Sequence, residues 1–235
     1  MSDPVLRFHE AADREALAGR FAAFVADRLT ARVATAGAAG LAVSGGTTPA
    51  RFFEKLSAAV VPWNKVVVTL IDERWVDETS SRSNGALVRH HLLQGVAGAA
   101  TFVPLYTGAA TPEEGFPAVE AALDTVPMPL RIAILGMGDD GHTASYFPHG
   151  DGLAAALAPP AGRRVAEVSA KAAIEPRITL TLPVVLAAET IALHIEGAGK
   201  RAVLERALQD GPVEDMPIRA VLRAATQGID VFWCP

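Results

Sequence analysis

Asp140, Gly141 and His142 follow an apolar run, RIAIL, inside the stretch GMGDDGHTASYFP at residues 136 to 148. An imidazole at the end of a strand can serve as a general base near neutral pH. A carboxylate two residues away can orient the ring or stabilise its protonated form. The same stretch fits G-x-G-x-x-G through Gly136, Gly138 and Gly141, the pattern of a dinucleotide-binding loop. That match is weak. Asp139 and Asp140 sit within the glycine frame, where their charges repel a pyrophosphate held against the loop. Residues 152 to 162 contain no acid, so the carboxylate that holds a ribose hydroxyl is missing. The strand involved is also the third along the chain, not the first. A plainer reading makes Asp140 a helix cap and His142 a first-turn residue, and for an isolated D-G-H that reading carries more weight.

A second loop changes the balance. SGGTTP, residues 44 to 49, follows the apolar run LAV and precedes RFFEKL. It carries no acid. Gly45 and Gly46 allow close backbone approach to a ligand, and Ser44, Thr47 and Thr48 add hydroxyls. N–H groups at a helix start favour an anion. The G-K-[ST] ending of a Walker loop is absent, and a plain strand-to-helix turn with a threonine cap is an equal alternative. Two cations stand where they complete an anion site. Arg177 begins RITLTLP, and Lys200 lies in EGAGKRAVL at a glycine-rich helix start. A lysine there opposes the helix dipole, which fits a role toward an anion; a solvated surface lysine is the plain alternative.

Other chemistries find little support. The histidines at 9, 90, 91, 142, 149 and 194 show no zinc spacing, so no metal is expected; His90 and His91 read as helix surface. Position 42 is alanine, so Ser44 is not in a G-x-S-x-G elbow. One cysteine, Cys234, excludes an internal disulfide and reads as packing or surface.

The chain has 235 residues, half of them hydrophobic, and a formal net charge of -5. That suits one large domain over 1–235 with a substantial core. An acidic surface does not draw nucleic acid or acidic membranes. MSDPVLRFHEAADREAL has no apolar leader core, and no run reaches a membrane span, so a cytoplasmic protein is expected. Apolar spacing predicts a helix over about Ala11–Ala36. LAVSGG, KVVVTLIDE and RIAILG read as buried strands, and RRVAEV, RITLTL, TIALHI and GIDVFW as later ones. Helices are expected from Pro49 through RFFEKL, over Ser83–Leu93 and Glu113–Leu123, after His142, and at KRAVLERAL and RAVLRAA. Such alternation predicts a doubly wound, mostly parallel α/β sheet with helices on both faces. Ligands in such folds bind at the carboxyl ends of strands, where SGGTTP, DERWV and GMGDDGH fall.

Together LAVSGGTTP, TLIDERWV with Ser83–Asn84, GMGDDGHTASYFP, RITLTLP and EGAGKRAVL resemble the 6-phosphogluconolactonase family. The resemblance runs from residue 41 to about 204 in the family's order. It implies a modified Rossmann-like fold and hydrolysis of 6-phosphoglucono-δ-lactone, the second step of the oxidative pentose phosphate pathway. No redox cofactor or metal is implied. The partner is a small sugar phosphate, and the protein is expected as a monomer or weak homodimer. By position, His142 is the general base, Asp140 its acidic neighbour and Arg74 a basic active-site residue. Ser44, Gly45, Gly46 and Thr47 form the substrate loop, and Arg177 and Lys200 hold the phosphate. Asp72 lies in the same site as an orienting or structural acid, its role open. Tyr146, Asp77 and Arg82 depart from the family pattern, where leucine, proline and an acid are usual. A related glucosamine-6-phosphate deaminase, with Asp72 as base, is the nearest alternative; its glutamate five residues after the histidine is Phe147 here. A sugar-phosphate-sensing module is the other, but no helix-turn-helix extension or basic patch accompanies the chain.

Overall fold

A computed structural model describes residues 5–171 and 173–235. The amino-terminal stretch read for a leader includes residues 1–4, which lie outside the described residues. The strands are β1 (Leu6–Glu10), β2 (Ala39–Val43), β3 (Val66–Leu70), β4 (Asp72–Arg74), β5 (Thr101–Val103), β6 (Ile132–Leu135), β7 (Val165–Val168), β8 (Arg177–Leu180), β9 (Ile191–Glu196) and β10 (Ile229–Cys234). The helices are α1 (Arg14–Ala36), α2 (Ala50–Ser57), α3 (Asn84–His91), α4 (Pro112–Leu123), α5 (Leu153–Leu157), α6 (Leu182–Leu186), α7 (Ala198–Leu208) and α8 (Ile218–Ala224).

Seven strands form one parallel sheet in the order β1-β10-β9-β6-β2-β3-β5, flanked by helices on both faces. The doubly wound expectation holds for this sheet. β2 and β6 are neighbours, yet the chain leaves them in opposite directions, toward β3 and β5 from one and toward β9 and β10 from the other. That reversal opens a crevice above their carboxyl ends. On one face the rings of Phe21, Phe52, Phe232 and His194 stack or meet edge-on, which locks α1 and α2 over β9 and β10. Each buried aromatic contributes roughly 1.5–3 kcal/mol. Cys234 is buried at the end of β10 and belongs to this packing.

Four sequence expectations need correction. KVVVTLIDE is not one strand. Its backbone divides at Ile71, whose N–H bonds Val43 O at 2.9 Å while its carbonyl accepts Leu180 N at 2.8 Å. The residue belongs to two sheets, and β4 leaves to join β8 and β7 in a small antiparallel sheet. RRVAEV and RITLTL therefore lie outside the parallel sheet. Both are buried on both faces, so their pattern mimics parallel strands. No helix starts at His142. Ala144 and His149 adopt left-handed backbone, with φ of 52 and 53 degrees, and helix resumes only at α5. Finally, β1 was not foreseen, because LRFHE is a half-exposed edge strand with little apolar signal.

β1 is pinned to β10 by charge. Asp230 is buried and its Oδ1 accepts from His9 Nε2 at 2.7 Å and Arg7 Nε at 3.1 Å. Its Oδ2 accepts from Arg7 Nη2 at 2.8 Å. Burial pushes the Asp230 carboxyl up, but the bonds from Arg7 and His9 outweigh it and hold it below its ordinary value. Asp230→Ala is expected to cost roughly 1.5–3 kcal/mol, the worth of a hydrogen bond to a charged group. Because the folded value is depressed, this stability is present above the unfolded carboxylate pKa and lost as pH falls through the folded one. Chemical denaturation at neutral and acidic pH checks it: the wild type and variant should converge in acid. A gap that stays constant with pH would refute the ion-pair account.

Candidate active site

The loops after β2, β3, β6 and β9 line a single cleft of about 580 Å³. All ten residues singled out from the sequence reach it: Ser44, Gly45, Gly46, Thr47, Asp72, Arg74, Asp140, His142, Arg177 and Lys200.

His142 Nδ1 lies 2.6 Å from Asp140 Oδ1, which also accepts the His142 backbone N–H at 3.1 Å. A carboxylate only accepts, so Nδ1 carries a proton, and in the neutral ring the lone pair is on Nε2. Burial pushes the Asp140 carboxyl up, while the two bonds from His142 outweigh burial and hold it below its usual range. Gly138 explains the glycine frame. A Cβ there would stand 2.1 Å from His142 Nδ1 and 2.6 Å from Asp140 Oδ1. The dyad sits directly over this glycine. The rim of the ring packs on Phe147, with centroids 4.8 Å apart.

Arg177 is buried, opposite Arg74 across the antiparallel pairing of β4 and β8. Burial pushes its guanidinium pKa down; the Asp72 carboxylate opposes this and Arg74 adds to it. The Nε atoms of both arginines are buried without a partner. Asp72 Oδ2 accepts from Ser145 Oγ at 2.6 Å, which ties the β6 loop to β4. Tyr146, one departure from the family pattern, is fully buried and donates to Leu180 O at 2.7 Å, so it belongs to the scaffold. Burial, with Asp72 nearby, pushes its hydroxyl pKa up and keeps it a donor. Asp77, another departure, is exposed and caps its own turn through Thr79 N at 2.9 Å.

Two predicted donors are already engaged. Ser44 Oγ gives its proton to Ile134 O at 2.9 Å, so its hydroxyl serves the sheet. Lys200 Nζ pairs with Asp139 Oδ1 at 2.8 Å. No side chain caps α2, contrary to the threonine-cap alternative.

Sequence reasoning missed Asn84, Phe147, His194 and Glu196 as wall residues. Asn84 Nδ2 donates to Asp72 O at 2.8 Å, and a Cβ on Gly45 would come within 1.8 Å of Asn84 Oδ1. The signal was its place directly after Ser83, which caps α3 through Ala86 N at 3.0 Å. His194 and Glu196 follow from strand alternation at the end of β9, with side chains 3.5 Å apart.

The family model for glucosamine-6-phosphate isomerases/6-phosphogluconolactonase matches residues 12–233. The chain belongs to this family. It is 52% identical to the 6-phosphogluconolactonase of Mesorhizobium japonicum over 95% of this chain and 93% of that one. The Rhizobium meliloti 6-phosphogluconolactonase is 46% identical over 94% and 95%. A crystal structure of a 6-phosphogluconolactonase from Shewanella baltica superposes with a TM-score of 0.94 at 38% identity, covering 98% of each chain. That structure and this chain thus share one fold over nearly their whole length.

Gly138→Ala separates the dyad reading from a phosphate-loop reading. Its backbone is not left-handed, so the added methyl acts by displacing His142 and Asp140. Turnover is expected to fall by about 10²-fold or more, the worth of a positioned acid–base group. Gly136→Ala, which meets nothing within 4 Å, is expected to cost far less. Steady-state kinetics with circular dichroism on both variants decides; equal losses would count against the dyad.

Proposed function

We propose that this protein hydrolyses 6-phosphoglucono-δ-lactone to 6-phosphogluconate with His142 as general base. The lactone-hydrolase activity rests on near full-length relatives that are 6-phosphogluconolactonases. The observation that supports the base assignment is the 2.6 Å contact between Asp140 and His142 Nδ1, which leaves Nε2 free in the cleft.

A δ-lactone is an activated ester, so no covalent nucleophile is required. His142 Nε2 takes a proton from water as the oxygen attacks C1. Asp140 steadies the imidazolium. Arg74, or nearby backbone N–H groups, stabilises the oxyanion. The imidazolium then returns its proton to the departing ring oxygen. Arg177, Lys200 and the Gly45–Thr47 backbone hold the phosphate and so fix C1 beside the base. An incoming dianion takes Lys200 from Asp139, an exposed pair of low cost. Asp72 Oδ1, free of any protein hydrogen bond among the described residues, is placed to accept from a sugar hydroxyl. Phe147, standing between His142 and Arg177, makes the wall apolar where deamination needs a carboxylate. Among the described residues no helix is long and apolar enough to cross a membrane. A cytoplasmic monomer or weak homodimer fits this reading.

His142→Ala is expected to lower kcat by about 10²–10⁴-fold with little change in KM. Near-normal turnover in a folded variant, after subtracting spontaneous hydrolysis, would sink the assignment. Lys200→Ala is expected to weaken binding of the phosphorylated lactone by about 10- to 150-fold, as loss of a charged hydrogen bond implies. Unphosphorylated gluconolactone should be a poor substrate for wild type and scarcely worse for the variant. An equal loss on both lactones would show that Lys200 does not meet the phosphate.

A further inference from the structure

Two like charges lie side by side in the cleft. Arg74 and Arg177 are register partners on β4 and β8, and neither has a carboxylate within ion-pair distance among the described residues. The Asp72 carboxylate offsets part of their mutual repulsion, and the rest must be met by whatever fixes their backbones.

The rim supplies such a device. Arg82 and Glu175 meet as a fork, Nε to Oε1 at 2.5 Å and Nη2 to Oε2 at 2.8 Å. Each stands beside one of the cleft arginines. The Arg82 carbonyl accepts from Arg74 Nη1. Glu175 precedes Arg177 by two residues, and the intervening Pro176 carbonyl accepts Trp75 N at 2.9 Å. One ion pair therefore joins the two segments that carry the guanidiniums. It adds no net charge to the cleft mouth, so its effect on a ligand is through geometry. This also accounts for Arg82, where the family pattern has an acid.

We propose that Arg82 and Glu175 form a positioning clamp that holds Arg74 and Arg177 in place for an anionic, phosphate-bearing ligand. The proposal rests on the reading that Arg177 meets the substrate's phosphate.

The test is the sign of two single substitutions. Binding of inorganic phosphate is measured by calorimetry, and KM for the phosphorylated lactone by steady-state kinetics, on wild type, R82A, E175A, R82A/E175A and R177Q. A through-space charge effect requires opposite signs: R82A weakens anion binding and E175A tightens it. The clamp requires both to weaken it, by about two- to five-fold, the range of an exposed ion pair. The double variant should weaken it no further than either single. KM should move more than kcat. Opposite signs, additive losses or no change overturn the clamp. R177Q reports on the underlying reading. If it leaves phosphate binding intact, that reading and the clamp both fail. If R177Q weakens binding while E175A does not, the clamp alone fails. Both rim side chains are partly exposed, and thermal melting confirms that each variant is folded.

Discussion

Glu73 is the residue on which the site's geometry depends. Its carboxylate is almost completely buried, and burial pushes its pKa up. Four donors oppose that: the backbone N–H groups of Arg74, Asn84 and Gly85, each at 2.7 Å, and Ser83 Oγ at 3.0 Å. A buried charge without such partners would be prohibitive. Two of the donors, Asn84 N–H and Gly85 N–H, are orphan groups at the start of α3, where a negative charge is also favoured by the helix dipole. The carboxylate thereby joins β4 to α3. Strand alternation then does the rest: with Glu73 turned into the scaffold, Asp72 and Arg74 turn to the cleft. The middle residue of D-E-R positions its two neighbours.

The second constraint is the handover at Ile71. A single residue bonds Val43 through its N–H and Leu180 through its carbonyl, so the small sheet cannot shift without disturbing the large one. Ser145 on Asp72 and Tyr146 on Leu180 add a third tie, from the loop that carries the dyad. His142 follows a strand of the parallel sheet and the two arginines lie on the antiparallel one. Their separation is fixed by hydrogen bonds between sheets rather than by packing alone, as near-attack geometry demands.

Much of this was legible in the residues. The central strands read clearly because both faces are buried and the runs are apolar. The same property misled for RRVAEV and RITLTL, since burial on both faces does not reveal strand direction. β1 was invisible because an edge strand held by Arg7, His9 and Asp230 needs little apolar alternation. The helix expected after His142 failed because the chain turns through left-handed Ala144, a conformation that side-chain type does not announce. All ten site residues converge on the cleft, but their partners could not be read. Ser44 is spent on a strand carbonyl and Lys200 on Asp139. Asn84 and Glu73 went unnoticed as a pair because their link is a backbone N–H eleven residues away in sequence.

The glycine frame shows why spacing and chemistry must be weighed separately. In a dinucleotide loop glycine clears space for a pyrophosphate. Here Gly138 clears space for the protein's own imidazole and carboxylate, and Gly141 takes a φ of 79 degrees with Met216 Cε 2.8 Å from where its Cβ would stand. Gly136 has nothing near it. The steric demand, a backbone that something must approach closely, is the same in both cases and leaves the same letters in the sequence. What differs is the sign of the charge inside the frame. Two aspartates make the loop a poor host for an anion and a good partner for an imidazole. The cleft's two arginines lie elsewhere, on a different sheet. With the arginines on β4 and β8, the Asp140 carboxylate keeps the His142 ring and backbone N–H as its partners.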